Sequence, residues 1–178
     1  SLDKKNKISN IKSKPFGLEK DIQDIVEQNT KSLFDLEFIC SEFTIGGLRL
    51  DSLCFDEESN AFVIIEYKKQ KSYSVIDQGY SYLSLMLNNK SDFILEYNEN
   101  HKHSLKRTDV DWSQSRIIFV SPSFSNYQKQ SINFKDIPFE LYEIKQYDNN
   151  LVSLNKIIST SKESIKKLGG LDSKIGKV

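Results

Sequence analysis

The alternation of apolar and polar positions predicts the order of the secondary-structure elements. Apolar residues recur every three or four positions at 18–33 and 75–89, which predicts two helices, with a shorter one at 125–134. Apolar runs bounded by turn residues predict the strands. These strands are 36–44, 48–55, 61–68, 92–97, 116–120, 139–146 and 151–158. Strands and helices in this order predict an α/β fold, a mixed β-sheet flanked by helices that closes with a C-terminal β-hairpin.

Two turn signals join the first three strands. Ile45-Gly46-Gly47 and the acidic segment 56–60 each separate two apolar runs, which is typical of hairpins. Side chains alternate between the faces of a strand, so Glu66 and Lys68 share one face. If strands 48–55 and 61–68 pair, Asp51 converges with Glu66 and Lys68 on one patch.

Length and composition indicate one domain. The 178 residues are enough for a single core at 1–158, and the Lys-, Ser- and Gly-rich segment 159–178 predicts a linker that leads to a further domain. No apolar run approaches the roughly 18 residues of a membrane span, and residues 1–5 lack a secretory signal. We therefore expect a cytoplasmic location, with Cys40 and Cys54 reduced and buried.

The charges balance. The chain has 25 basic and 25 acidic residues, and this argues against a protein that coats nucleic acid through bulk electrostatics. A local basic stripe remains compatible with the balance, because acidic catalytic residues and basic contacts cancel in the sum.

The polar residues of the first two helices and the central strands resemble a known pattern. An acid in the first helix, an acid in one strand, Glu-x-Lys in the next strand and Gln-x-x-x-Tyr in the following helix resemble the PD-(D/E)xK nuclease superfamily. The residues that carry the resemblance are Glu27, Asp51, Glu66, Lys68, Gln78 and Tyr82. The strand pair resembles DNA-repair endonucleases of branched or mismatched DNA, and the Gln-x-x-x-Tyr element resembles the RecB-like branch. Leu50 stands where the superfamily often has Pro.

The resemblance implies a restriction-endonuclease-like fold with the core order α-β-β-β-α-β and a site that holds Mg²⁺ or Mn²⁺. Asp51, Glu66 and the backbone carbonyl of Tyr67 would be its ligands, since divalent cations of this kind prefer oxygen. Lys68 would orient the attacking water or neutralise charge at the phosphate.

Helical residues would complete such a site. The resemblance implies that Glu27 reaches it from the first helix, and that Gln78 and Tyr82 position the site or the substrate. Gln78 and Tyr82 are four residues apart, so they lie on one helix face.

Three basic residues are the candidates for nucleic-acid contacts. Arg49 shares the strand face of Asp51, while Lys69 and Lys71 extend the basic rim beyond Lys68. The predicted partner is DNA, with RNA as an alternative. No membrane partner is expected, and a homodimer is compatible with the sequence.

Each candidate also has a plain structural interpretation. Asp51 and Glu66 could form ion pairs with Arg49 and Lys68 at a sheet rim. Glu27, Lys69 and Lys71 could be solvated surface charges, and Tyr82 could be part of the core. His101 and His103 stand in a polar loop and are predicted to be exposed.

Two other functions are compatible with the sequence. The first is a non-catalytic module on the same fold that binds nucleic acid or a protein. The second is a small-molecule or transport-associated domain in which the acidic cluster is a salt-bridge network.

Overall fold

The computed structural model describes residues 10–69 and 75–164. Within these ranges, seven strands form one sheet in the order β1-β6-β5-β4-β3-β2, with β7 paired to β6. The strands are β1 Ser13–Lys14, β2 Glu37–Ile45, β3 Leu48–Asp56, β4 Ala61–Tyr67, β5 Arg116–Ser121, β6 Phe139–Tyr147 and β7 Val152–Lys156. The helices are α1 Glu19–Glu27, α2 Thr30–Phe34, α3 Val75–Asn88, α4 Lys90–Asn100 and α5 Asn126–Ser131.

The sheet is mixed, as predicted. Strands β2, β3 and β4 form an antiparallel meander, whereas β4, β5 and β6 run parallel to one another. Strand β7 returns antiparallel to β6 and forms the predicted C-terminal hairpin. The α/β class, the flanking helices and the two hairpins at β2–β3 and β3–β4 are confirmed.

Each face of the sheet is covered by helices that bury apolar side chains. Phe62 and Ile64 point to one face and pack in a cluster with residues of α3 and α4. Val63 and Ile65 alternate with them and pack in a second cluster with residues of α1. Strand β4 is buried along its whole length, because both faces are covered.

The strand predicted at 92–97 is wrong, because this segment belongs to helix α4. Phe93, Ile94 and Tyr97 are its buried residues, and their spacing fits one face of a helix. The Phe93 ring packs edge-on against Phe62 at 5.7 Å between centroids. A short apolar run has no period that separates strand from helix, and here packing against the sheet decided the outcome.

Smaller differences lie at the ends of the chain. The predicted first helix is divided into α1 and α2, and Ser13–Lys14 pairs with β6. Beyond the predicted boundary at residue 158, the backbone amides of Thr160 and Ser161 donate to Asn133 Oδ1 at 2.9 and 3.1 Å.

Cys54 is buried as predicted, while Cys40 is half-buried, and both thiols are free. Among the helices described, none is long and apolar enough to cross a membrane.

Candidate active site

Asp51 and Glu66 come together at the end of the β3–β4 hairpin. The last residues paired at this end are Ser52 and Ile65, and Asp51 and Glu66 are the next step along the two strands. Here the Tyr67 amide donates to the Asp51 carboxylate at 3.0 Å, between nitrogen and Oδ2. The side chain of Asp51 thus accepts from the backbone of β4 just beyond the paired ladder.

The two oxygens of the Glu66 carboxylate have different surroundings. Oε1 accepts from Lys68 Nζ at 3.0 Å and from Gln78 Nε2 at 2.7 Å. Oε2 is buried and has no hydrogen-bond partner within the part of the chain that the structure describes. Glu66 as a whole is 3% exposed. A buried carboxylate oxygen without a donor is costly, and this one requires an explanation.

Burial acts on both acids of the site. Burial and, after it, the neighbouring charge of Asp51 raise the pKa of Glu66 to about 7, against the opposite effect of Lys68. Burial also raises the pKa of Asp51, which the hydrogen bond from the Tyr67 amide partly offsets. The pair therefore resists full ionisation in the absence of a cation, a pattern that is common at functional sites.

The donor set fits a hard divalent cation. Within residues 10–69 and 75–164 no group of three or more His, Cys, Asp or Glu side chains is arranged to hold a metal. A zinc site would need such a group of nitrogen or sulfur ligands. Mg²⁺, in contrast, is usually bound through one or two carboxylates and keeps several waters. Asp51 and the unpartnered Oε2 of Glu66 match this requirement.

Gln78 and Tyr82 of helix α3 lie over Glu66. Gln78 Nε2 donates to the Tyr82 hydroxyl at 2.9 Å as well as to Glu66. The Tyr82 hydroxyl donates to the carbonyl oxygen of Arg49 at 3.1 Å. Burial raises the pKa of Tyr82 to about 12, so the phenol remains a donor. These contacts connect α3 to β3 and β4 at the two carboxylates.

Glu27 contacts a different set of groups. Its Oε1 accepts from Gln23 Nε2 at 2.8 Å and from Ser52 Oγ at 2.6 Å. The Ser52 hydroxyl in turn lies 2.9 Å from that of Tyr67. Ser52 and Tyr67 alternate with Asp51 and Glu66 along their strands, so they point to the α1 side of the sheet. The structure brings Glu27 to the back of the site, and its predicted part in metal binding stays a prediction.

Glu19, in the first turn of α1, is an acid that the sequence pattern did not single out. Its Oε1 accepts from the backbone amide of Lys69 at 2.9 Å. Its charge also contributes, after burial, to the raised pKa of Asp51. Nothing in the sequence separates Glu19 from Asp21 or Asp24 on the same helix. Its proximity to Asp51 arises only when α1 docks on the sheet.

The predicted nucleic-acid contacts are distributed around the site. Arg49 is exposed, and its guanidinium lies 3.7 Å from a carboxylate oxygen of Glu42. The Lys69 ammonium donates to the carbonyl oxygen of Gly17. Lys71 lies outside the described residues. None of these observations tests the role assigned to the three residues.

The exposure predicted for His101 is wrong. Its side chain is 13% exposed, and its Nε2 lies 3.2 Å from a carboxylate oxygen of Glu37. The imidazole also stacks on the ring of Tyr97 at 4.4 Å between centroids. Helix α4 reaches residue 100 and so brings His101 against β2, whereas His103 is exposed as predicted.

Comparisons with known proteins identify a relative and a shared fold. A Haemophilus influenzae protein described as uncharacterized is 55% identical over 161 residues, which are 90% of this chain and 53% of that protein. The chain therefore spans about half the length of this relative. No protein-family model matches the chain.

Two solved structures resemble the chain at low sequence identity. One is a structure of an EndoMS–dsDNA2 complex, 17% identical, with a TM-score of 0.50 over 78% of this chain and 49% of that chain. The other is a repair endonuclease from Pyrococcus abyssi, 17% identical, with a TM-score of 0.40 over 73% and 49% of the two chains. The first likeness shows that the chain and EndoMS share a fold, a mixed sheet flanked by helices.

Proposed function

We propose that this chain is the catalytic domain of a metal-dependent nuclease of the PD-(D/E)xK type, which hydrolyses phosphodiester bonds of DNA in repair or defence. The observation that carries the proposal is the pair of Asp51, which is half-buried, and Glu66, which is buried, with an amine beside Glu66 and one of its carboxylate oxygens without a donor. The fold shared with EndoMS, solved as a complex with dsDNA, supports the proposal.

Phosphodiester hydrolysis needs a nucleophilic water, neutralisation of the charge that builds up on the phosphate, and stabilisation of the leaving oxygen. Mg²⁺ or Mn²⁺, held by Asp51, Glu66 and the carbonyl oxygen of Tyr67, would supply much of this charge neutralisation. These are oxygen donors of the kind that such ions prefer.

The remaining side chains would act on water, phosphate and the acids themselves. Lys68 would orient the attacking water or neutralise the phosphate, since its ammonium lies at the edge of the acidic pair. Gln78 would hold Glu66 in one orientation through its hydrogen bond to Oε1. Tyr82, which accepts from Gln78 and donates to the Arg49 carbonyl, would hold Gln78 in place. Arg49 and Lys69 would contact the DNA backbone outside the pair.

The test is DNA cleavage by the purified chain. Labelled single-stranded, duplex and forked DNA are incubated with Mg²⁺, with Mn²⁺ or with EDTA. We expect cleavage that depends on the metal, and a loss of at least about 100-fold in Asp51→Ala, Glu66→Ala and Lys68→Ala, with folding checked by circular dichroism.

Glu140→Gln is the matched control. Glu140 is a carboxylate of strand β6, which β5 separates from β4, and it pairs with Arg116 of β5 and Lys156 of β7. This variant should cleave like the wild type. If Glu66→Ala cleaves DNA at the rate of the wild type, the proposed nuclease function is wrong.

A non-catalytic module on the same fold is the second candidate. The observation that favours it is that no group of three or more His, Cys, Asp or Glu side chains within residues 10–69 and 75–164 is arranged to hold a metal ion. Such a module would bind DNA without cleaving it. If a titration with Mn²⁺ shows no binding at the Glu66 carboxylate, that result would favour this candidate.

A further inference from the structure

The side of the sheet behind the two carboxylates contains hydrogen bonds that the proposed chemistry does not use. Four residues form them, and we call this set the support network. Its members are Gln23, Glu27, Ser52 and Tyr67. Three of the four are buried, with Gln23 7%, Ser52 0% and Tyr67 1% exposed.

The hydrogen bonds of the support network have a fixed direction. Glu27 Oε1 accepts from both Gln23 and Ser52, so the hydroxyl proton of Ser52 points to Glu27. The Tyr67 hydroxyl must then donate to Ser52 across 2.9 Å.

The support network holds the two strands that carry the site. Gln23 Nε2 also lies 3.2 Å from the carbonyl oxygen of Asp51, which it reaches from α1. The Tyr67 amide donates to the carboxylate of that same Asp51. The main chain of Asp51 is thus held from behind, and Tyr67 is held at both its amide and its hydroxyl. Gln23 and Glu27 are four residues apart, on one face of α1.

Stability alone gives little reason for polar groups at this place. Ser52 and Tyr67 are neighbours of Cys54, Val63 and Ile65, whose side chains form an apolar cluster with α1. A satisfied buried hydrogen bond contributes only about 1 kcal/mol net, and apolar residues of similar shape can replace such a pair at little cost. The directional contacts do restrict rotation of the Tyr67 side chain and movement of β3 against β4.

We propose that the support network positions the Asp51 carboxylate and the Tyr67 main chain for the cation, and that Glu27 is a positioning residue of this network. The proposal rests on the proposed function. It differs from the role that the sequence resemblance implies for Glu27, because Glu27 acts here through Ser52 and Tyr67.

The affinity of the purified chain for Mn²⁺, measured by calorimetry without DNA, tests the proposal. Tyr67→Phe, Ser52→Ala and Glu27→Ala should each weaken Mn²⁺ binding by about 10- to 100-fold, the usual effect of removing a group that orients a metal ligand. Each variant must remain folded by circular dichroism at the temperature of the titration.

Glu27→Gln separates positioning from direct ligation. The amide oxygen of glutamine still accepts from Ser52, so this variant should bind Mn²⁺ much more tightly than Glu27→Ala and close to the wild type. If Glu27 is itself a ligand, the Gln and Ala variants should lose affinity alike, which would overturn the proposal.

Tyr142→Phe is the control for a general loosening of the core. The Tyr142 hydroxyl donates to Glu140 Oε2 at 3.1 Å and its ring packs against the same apolar cluster, on strand β6. Loss of the Tyr142 hydroxyl should lower the free energy of unfolding and leave the affinity for Mn²⁺ unchanged. A loss of affinity equal to that of Tyr67→Phe would contradict a specific positioning role.

Amide exchange in the metal-free protein gives a readout that does not depend on the metal. The Tyr67 amide, which donates to Asp51, should exchange several-fold faster in Ser52→Ala than in the wild type. If the wild type binds no Mn²⁺, the proposed function fails, and unchanged exchange would then overturn the support network as well. If the wild type binds Mn²⁺ and the three variants bind it equally, only the support network is overturned.

Discussion

At the scale of single residues, Glu66 has a structural cost that the proposed function would explain. Its Oε1 is supplied with donors by Lys68 and Gln78, whereas Oε2 is buried without one. A carboxylate in this position destabilises the folded chain when it is ionised and no cation is present. Proteins commonly accept such a cost at sites where a charge has a function.

Glu66→Gln should therefore stabilise the metal-free protein in a pH-dependent way. The pKa of Glu66 is raised from 4.5 in the unfolded chain to about 7 in the folded one. Below the unfolded pKa both states are protonated and nothing is lost, while the penalty grows as pH rises and is complete above the folded pKa. We expect Glu66→Gln to exceed the wild type by on the order of 1–3 kcal/mol in the free energy of unfolding at pH 8, and by little at pH 4.

Urea unfolding in EDTA at pH 4 and pH 8 measures the difference in the free energy of unfolding between variant and wild type. Glu143→Gln is the control, for which the change in stability is expected to have the opposite sign. Despite partial burial, hydrogen bonds from Lys129 and the Phe124 amide hold the pKa of Glu143 below its usual value. Its replacement should lower stability at pH 8. A Glu66→Gln variant that is less stable than the wild type at pH 8 would show that Glu66 is satisfied in the folded protein.

At the scale of elements, helix α3 is placed over the site by a close approach to β6. Gly79 faces Phe139, and a Cβ at residue 79 would lie 2.7 Å from a carbon of that ring. The Phe139 ring is buried and also packs edge-on against Tyr80. Because Gln78 precedes Gly79, the helix can hold its amide against Glu66 only where this close approach is kept.

Gly79→Ala should consequently be destabilising. Alanine favours a helix over glycine by about 1 kcal/mol, but the clash with a buried ring should outweigh this gain, with a net loss of about 1–3 kcal/mol. Thermal unfolding measures the change. Ser81→Ala, at an exposed position two residues further along α3, should be neutral or slightly stabilising. A stabilised Gly79→Ala variant would mean that α3 can shift away from β6.

Helix α4 shows where element assignment from the sequence fails. Residues 92–97 have the apolar content of a short strand, yet Phe93, Ile94 and Tyr97 are buried on one face of a helix. The neighbouring assignments of β3 and β4 are right, because turn residues delimit both strands and two hairpins pair them. Residues 92–97 have no hairpin signal that joins them to an adjacent strand, and contacts with Phe43 and Phe62 determine their conformation.

At the scale of the whole molecule, the balance of 25 basic and 25 acidic residues limits how the proposed DNA substrate could be bound. A balanced chain has no large positive field, so binding has to rest on a few local contacts. The exposed Arg49 beside the site is one described candidate. The chain also spans about half the length of its Haemophilus influenzae relative.

The salt dependence of DNA binding checks this limit. We expect the logarithm of the binding constant of duplex DNA to fall with the logarithm of salt concentration at a slope of about −2 to −4, which corresponds to a few phosphate contacts. Fluorescence anisotropy with Glu66→Ala measures the slope without cleavage. Arg49→Ala should reduce its magnitude by about 1. A slope steeper than about −6 would require a basic surface beyond the local contacts.

The sequence by itself determined the contacts that depend on neighbouring strands. Alternation placed Glu66 and Lys68 on one face, and the turn at 56–60 paired β3 with β4, so the approach of Asp51 followed from local pattern. Gln78 and Tyr82 were predicted to share a helix face for the same reason. These features depend only on the side-chain periods of a strand and a helix, and a few consecutive residues are enough to identify either period.

Only the tertiary structure decided which distant groups meet. It placed α3 over Glu66, directed Glu27 to Ser52 and brought Glu19 near Asp51. It also made a helix of 92–97. Each outcome depends on how helices pack on the two faces of the sheet, which is set by burial of side chains far apart in the chain. Such contacts have no local period, and the sequence pattern therefore does not contain them.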